Sequence, residues 1–115
     1  MSWARFRRTP EVDPDWAPDL ARVAEVVGRA PQGTAIDPLV VSTLTELPLG
    51  QVIALLQVLA RLRRGRLELR VVDRQGRELA TFRSLREVPS SLRDRFGDLT
   101  PVLPENVELV FRRAR

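Results

Sequence analysis

At 115 residues with a hydrophobic fraction of 43%, the chain can build one small domain around a single modest core. It contains neither His nor Cys, which excludes a thiolate nucleophile, an imidazole base and the common zinc sites. The formal net charge is +4 and every basic residue is Arg, a side chain that grips phosphate and carboxylate with a forked geometry.

Residues 1–14, with Arg5, Arg7, Arg8 and two prolines, read as a flexible arm that Trp3 and Phe6 are placed to pin. The first helix is expected in "PDWAPDLARVAEVVGRAPQG". Leu20, Val23, Ala24 and Val27 recur at helical spacing, Asp15 and Asp19 suit the positive end of the dipole, and Gly28 and Pro31 are the stop. "TAID" is a short extended link. "DPLVVSTLTEL" predicts a second helix with Asp37 as N-cap, Pro38 in the first turn, and Leu39, Val40 and Leu44 as its apolar side.

After a tight break at Glu46–Leu47–Pro48 comes the long helix of "LPLGQVIALLQVLARLRRG", with Gly65 expected as its C-terminal glycine. At 100° per residue, Val52, Ile53, Leu55, Leu56, Val58, Leu59 and Leu62 sweep an arc of roughly 220°, wider than a one-sided helix needs. Gly50, Ala54, Gln57, Arg61 and Arg64 remain outside, with Gln51 at the margin. "LELRVVDRQGRELATF" then predicts a hairpin. Leu67, Leu69 and Val71 alternate with Glu68 and Arg70, and Gly76 takes any positive φ in the turn.

In the tail, "PSSLRDRFG" is expected to form one short helical turn capped by Ser90 or Ser91 and stopped by Gly97. "TPVLPENVELVFRR" follows as a strand with Val107, Leu109 and Phe111 on one face. Its prolines, Pro101 and Pro104, suggest a sheet edge.

The phrase "VVSTLTELPLGQVIALLQVLARLRRGRLEL", the turn at Leu47–Pro48 and the basic hairpin resemble the winged helix-turn-helix family of bacterial regulators, over roughly residues 17–83. The resemblance implies an α+β fold of three helices plus a β-hairpin wing, here with an extra C-terminal turn and strand. The expected organisation is an arm at 1–14, a winged-helix domain at 15–83, and an extension at 84–115 packed on that domain or on a second subunit.

Charge divides sharply along the chain. Residues 1–50 carry five Arg against seven acids, residues 51–86 nine Arg against Glu68, Asp73 and Glu78, and residues 87–115 five of each. The positive excess therefore sits on the long helix and the hairpin, where a polyanion would be drawn in a salt-dependent way.

Two functions follow. The first is DNA binding by a small transcriptional regulator or accessory protein. Gln51 and Gln57 would then meet bases, while Arg61, Arg64, Arg66, Arg70, Arg74 and Arg77 hold phosphates, with little sequence specificity. The alternative is a non-catalytic module that dimerises or docks on an acidic protein, suggested by the wide apolar arc and the additional strand. Scattered acids and the lack of a phosphate loop or nucleophile elbow argue against an enzyme, and neither metal nor cofactor is expected. No apolar run approaches a membrane span and the first residues lack a signal-peptide core, so a cytoplasmic location is expected.

Overall fold

The computed structural model describes residues 16–115. The expected arm at 1–14, the pinning role of Trp3 and Phe6, and Asp15 lie outside the described residues. In chain order the elements are α1 (Ala17–Arg29), β1 (Ala35–Ile36), α2 (Pro38–Thr45), α3 (Leu49–Arg61), β2 (Gly65–Val72), β3 (Glu78–Phe82), β4 (Ser91–Arg93), β5 (Leu99–Pro101) and β6 (Val107–Arg113). The protein is α+β, with three helices and antiparallel sheets, an arrangement compatible with a winged helix. The larger sheet has the order β1-β6-β2-β3, and β4 and β5 form a second, two-stranded sheet. The chain groups into two units, a helical one (described residues 16–66 with 111–115) and a strand unit (67–110).

In the helical unit, α1 buries Val23 and Val27, the inward positions its spacing predicts. It runs one residue past Gly28, to Arg29, before Ala30 caps it. Asp37 accepts the Leu39 N–H at 2.9 Å, the expected N-cap, which contributes about 1 kcal/mol. The apolar side expected of α2 is corrected. Pro38, Val41 and Thr45 are buried, while Leu39, Val40 and Leu44 are 58%, 50% and 65% exposed. The helix is uncharged from Pro38 to Thr45, and its threonines fall on both sides, Thr45 buried and Thr43 exposed, so its pattern does not mark the outward one. Glu46 takes a left-handed conformation (φ 59°), the Ser42 hydroxyl donates to the Leu47 carbonyl at 2.6 Å, and the chain turns through 110° into α3.

The face that α3 buries is narrower than expected. Val52, Leu55, Leu56, Val58 and Leu59 are buried, an arc of roughly 160°, whereas Ile53 is half-buried and Leu62 is exposed. The helix ends at Arg61, and the left-handed residue after its Leu62 cap is Arg63 (φ 61°), not Gly65. Gly65 serves packing instead. A Cβ there would lie 2.4 Å from the Arg112 carbonyl oxygen and 2.4 Å from the Phe111 ring. The "TAID" link forms β1, whose Ile36 pairs with the fully buried Phe111.

In the strand unit, β2 and β3 pair as predicted, but the alternation of β2 does not hold. Glu68 is buried and makes an interaction within the protein, while Leu67 and Leu69 are only half-buried. A register shift between Val71 and Val72 lets two successive residues face inward, as a bulge does. The helical turn expected in "PSSLRDRFG" is instead strand β4 and a turn into β5, a second hairpin. The C-terminal strand exists as β6, yet it is an interior strand between β1 and β2. Its prolines misled because Pro101 ends β5 and Pro104 opens a single 3₁₀ turn, so neither lies in β6. Of the expected face Phe111 is fully buried, Val107 half-buried and Leu109 exposed, while Val110, from the other face, is buried as well.

Candidate binding surfaces

The expected base-reading and phosphate-holding residues fall in both units. In the helical unit, Gln51 does not face outward unengaged: its amide nitrogen donates to Asp19 Oδ2 of α1 at 2.7 Å. This bond spans 32 residues of sequence, so local reading could not reveal it. Gln57 is exposed, one turn and a half along α3. Arg61 and Arg66 are exposed and make interactions within the protein, and Arg64 is exposed at the α3 exit. The N-terminal turns of α3 thus present Leu49, Gly50 and the half-buried Ala54, which carry no donor for a base edge.

What the helical unit does present there is apolar. Leu39, Val40 and Leu44 lie on one side of α2, and Leu49 at the start of α3 is exposed as well. The polar side chains of α2 are already satisfied: Thr43 donates to the Leu39 carbonyl at 3.0 Å, Thr45 to Val41 at 2.7 Å, and Ser42 to Leu47. The face therefore has no charge and few free hydrogen-bonding groups. Asp37 and Glu46 flank it in sequence, and the Arg22 guanidinium donates to the Thr45 carbonyl at its C-terminal end.

In the strand unit, Arg70 is taken up by Glu108. Its Nε and Nη2 reach the same carboxylate oxygen at 3.2 and 2.7 Å. Arg74 and Arg77 are different: they stand exposed on the β2–β3 turn with no side-chain partner among the described residues. That turn is built by Asp73. Its Oδ1 accepts the Gln75 and Arg77 N–H groups, and Gly76 supplies φ 79°.

The β4–β5 turn repeats the design residue for residue. Asp94 Oδ1 accepts from Phe96 and Asp98, and Gly97 sits at φ 84°. The signal lies in the sequence as D-R-x-G, once in "DRQGR" and again in "DRFGD". Sequence reasoning used the first and missed the second, along with the Arg95 guanidinium stacked 4.8 Å from the centroid of the exposed Phe96 ring. A cleft of about 610 Å³ runs between the two turns, and its three arginines, Arg74, Arg77 and Arg95, are balanced by Asp73, Asp94 and Glu105. Such a lining offers no net pull on a polyanion.

Compared with protein families, with characterised proteins and with solved structures, the chain gives no match. Among the described residues no single helix is long and apolar enough to cross a membrane.

Proposed function

We propose that this protein is a non-catalytic winged-helix module that self-associates through the outward face of α2. The observation that carries this reading is the exposure of Leu39, Val40 and Leu44, side chains that an isolated small domain gains by covering. A second copy suits the face better than a charged partner. The patch holds no charge to be complemented, and an uncharged apolar surface is complementary to itself across a two-fold axis. Gln51, the first donor that would meet a base, is held by Asp19.

Sedimentation velocity over a micromolar-to-submillimolar series tests this. The parent chain should dimerise, and Leu39→Asp with Leu44→Asp should weaken the dimer by about thirtyfold or more, as loss of a buried anchor does. A parent that stays monomeric throughout sinks the reading.

DNA binding stands as a second reading. It is favoured by two observations: the 110° turn between α2 and α3, within the range of helix-turn-helix pairs, and Arg74 and Arg77 on a hairpin tip with no side-chain partner among the described residues. Here the arginines would hold phosphates without reading sequence. Binding to random-sequence duplex measured against salt should then show a steep log–log slope. Arg74→Ala with Arg77→Ala should lower its magnitude by about 2. Equal slopes in parent and variant remove the hairpin from any DNA contact.

A further inference from the structure

Within the helical unit, a cleft of about 210 Å³ opens between the ends of α1 and α3 and the last residues of the chain. Val27 and Leu59 give it an apolar floor. Among the described residues Arg63, Arg64, Arg113 and Arg115 line it, and no carboxylate side chain does. Backbone hydrogen bonds place these arginines. Gly33 N–H donates to the Arg113 carbonyl at 3.0 Å and Arg113 N–H to Thr34 at 2.9 Å, while Ala114 N–H donates to Arg64 at 2.9 Å. Two stretches some fifty residues apart in sequence, on the order of half the chain, are thereby fixed around one hollow.

An ordinary structural role would be to cap the carbonyls of the helix ends, where cations are favoured. Arg113 does this, donating from Nη1 to the Ala30 carbonyl. At the α3 exit that work is already done by the backbone. Arg63 N–H donates to Ala60 and Arg64 N–H to Leu59, each at 3.0 Å, the paired bonds of a Schellman ending. The side chains of Arg63, Arg64 and Arg115 have no partner among the described residues. Arg63 moreover occupies the left-handed position that glycine fills most easily. A bulky residue held there, on the rim of a hollow lined by three more guanidiniums, points to a use for its side chain. Like charges gathered with no carboxylate side chain among the described lining residues are unfavourable until an anion joins them.

We infer that this cleft binds a phosphate group carried by a small molecule. Guanidinium forks match the oxygens of a phosphate, and three uncommitted ones can share its charge. The volume favours a small source, since it falls below the roughly 300–1,000 Å³ of sites for drug-sized ligands and leaves room for a phosphate with a modest body. The inference is independent of the α2 face, no residue of which lines the cleft.

The test is calorimetric titration of the full chain with inorganic phosphate, against chloride at matched ionic strength, with thermal melts of each variant. Arg63→Gly should melt higher than the parent, because glycine accepts the left-handed backbone, and yet bind phosphate about tenfold more weakly. Arg115→Ala should weaken phosphate binding to a similar degree, and Arg74→Ala with Arg77→Ala should leave it unchanged. Phosphate binding no tighter than chloride, or equal binding by the parent and Arg63→Gly, overturns the inference. Duplex DNA that phosphate displaces and Arg63→Gly weakens would assign the cleft to a nucleic-acid backbone and overturn the small-molecule source.

Discussion

Gly65→Ala should destabilise the protein by about 3 kcal/mol, the upper range for forcing an extra carbon into a packed interior. At roughly 5 °C per kcal/mol for a domain of this size, the melting temperature should fall by about 15 °C. The cause is proximity alone, for φ at Gly65 is not positive. A Cβ would stand 2.4 Å from the Arg112 carbonyl oxygen and 2.4–2.5 Å from two carbons of the Phe111 ring, and no adjustment of one flexible side chain clears both. Phe111 is fully buried and paired with Ile36, and the Arg112 oxygen belongs to the backbone of β6. The two obstacles separate in a second background. Phe111→Leu removes the ring edge and leaves the carbonyl, so Gly65→Ala should still cost more than half as much there. Chemical denaturation of the four chains measures this directly. An alanine tolerated within about 0.5 kcal/mol would mean that β6 can move away from residue 65 at little cost.

Gly65 also shows where sequence reading succeeds and where it stops. A glycine after an arginine-rich helix end is a sound C-terminal signal, and the helix does end close by. The left-handed position nevertheless went to Arg63, because Gly65 was required by a contact with Phe111 and Arg112, nearly fifty residues away, on the order of half the chain. Local signals were legible: the Asp37–Pro38 start of α2, the break at Glu46–Pro48, the Asp73–Gly76 turn and the inward Val23 and Val27. Each depends on neighbours within one or two turns. The second D-R-x-G turn was equally local and was missed because "PSSLRDRFG" carries serine caps as well as turn residues, so two local chemistries competed.

The candidate surfaces were less legible than the fold, for a related reason. Whether a polar side chain is available depends on partners that the sequence places far off. Gln51 is engaged by Asp19 and Arg70 by Glu108, while Arg74 and Arg77, of the same residue type as Arg70, are not engaged by any described side chain. Helix α2 adds the opposite case. With no charge between Pro38 and Thr45, composition could not tell its inner side from its outer, and the exposed leucines became visible only once Val41 and Thr45 were seen to be buried.

Leu55→Ala should cost about 3–4 kcal/mol, and Leu62→Ala less than about 0.5 kcal/mol, although a helical wheel puts both on one apolar arc. Leu55 is fully buried in the middle of α3, beside the equally buried Val52 and Leu56. Truncating it removes transfer free energy and leaves a cavity that close-packed neighbours refill only in part. Leu62 has the same composition and sits two turns later, yet the helix has ended. Its backbone is the C-cap, its N–H donates to the Val58 carbonyl at 3.0 Å, and its side chain is 58% exposed. Alanine keeps that backbone bond and gives up little buried surface. Urea denaturation of the two variants under identical conditions should therefore separate them by about 3 kcal/mol, far outside extrapolation error for so small a chain. Equal losses would show that Leu62 is covered in solution, and would move the α3 exit from the free surface of the helical unit into an interface.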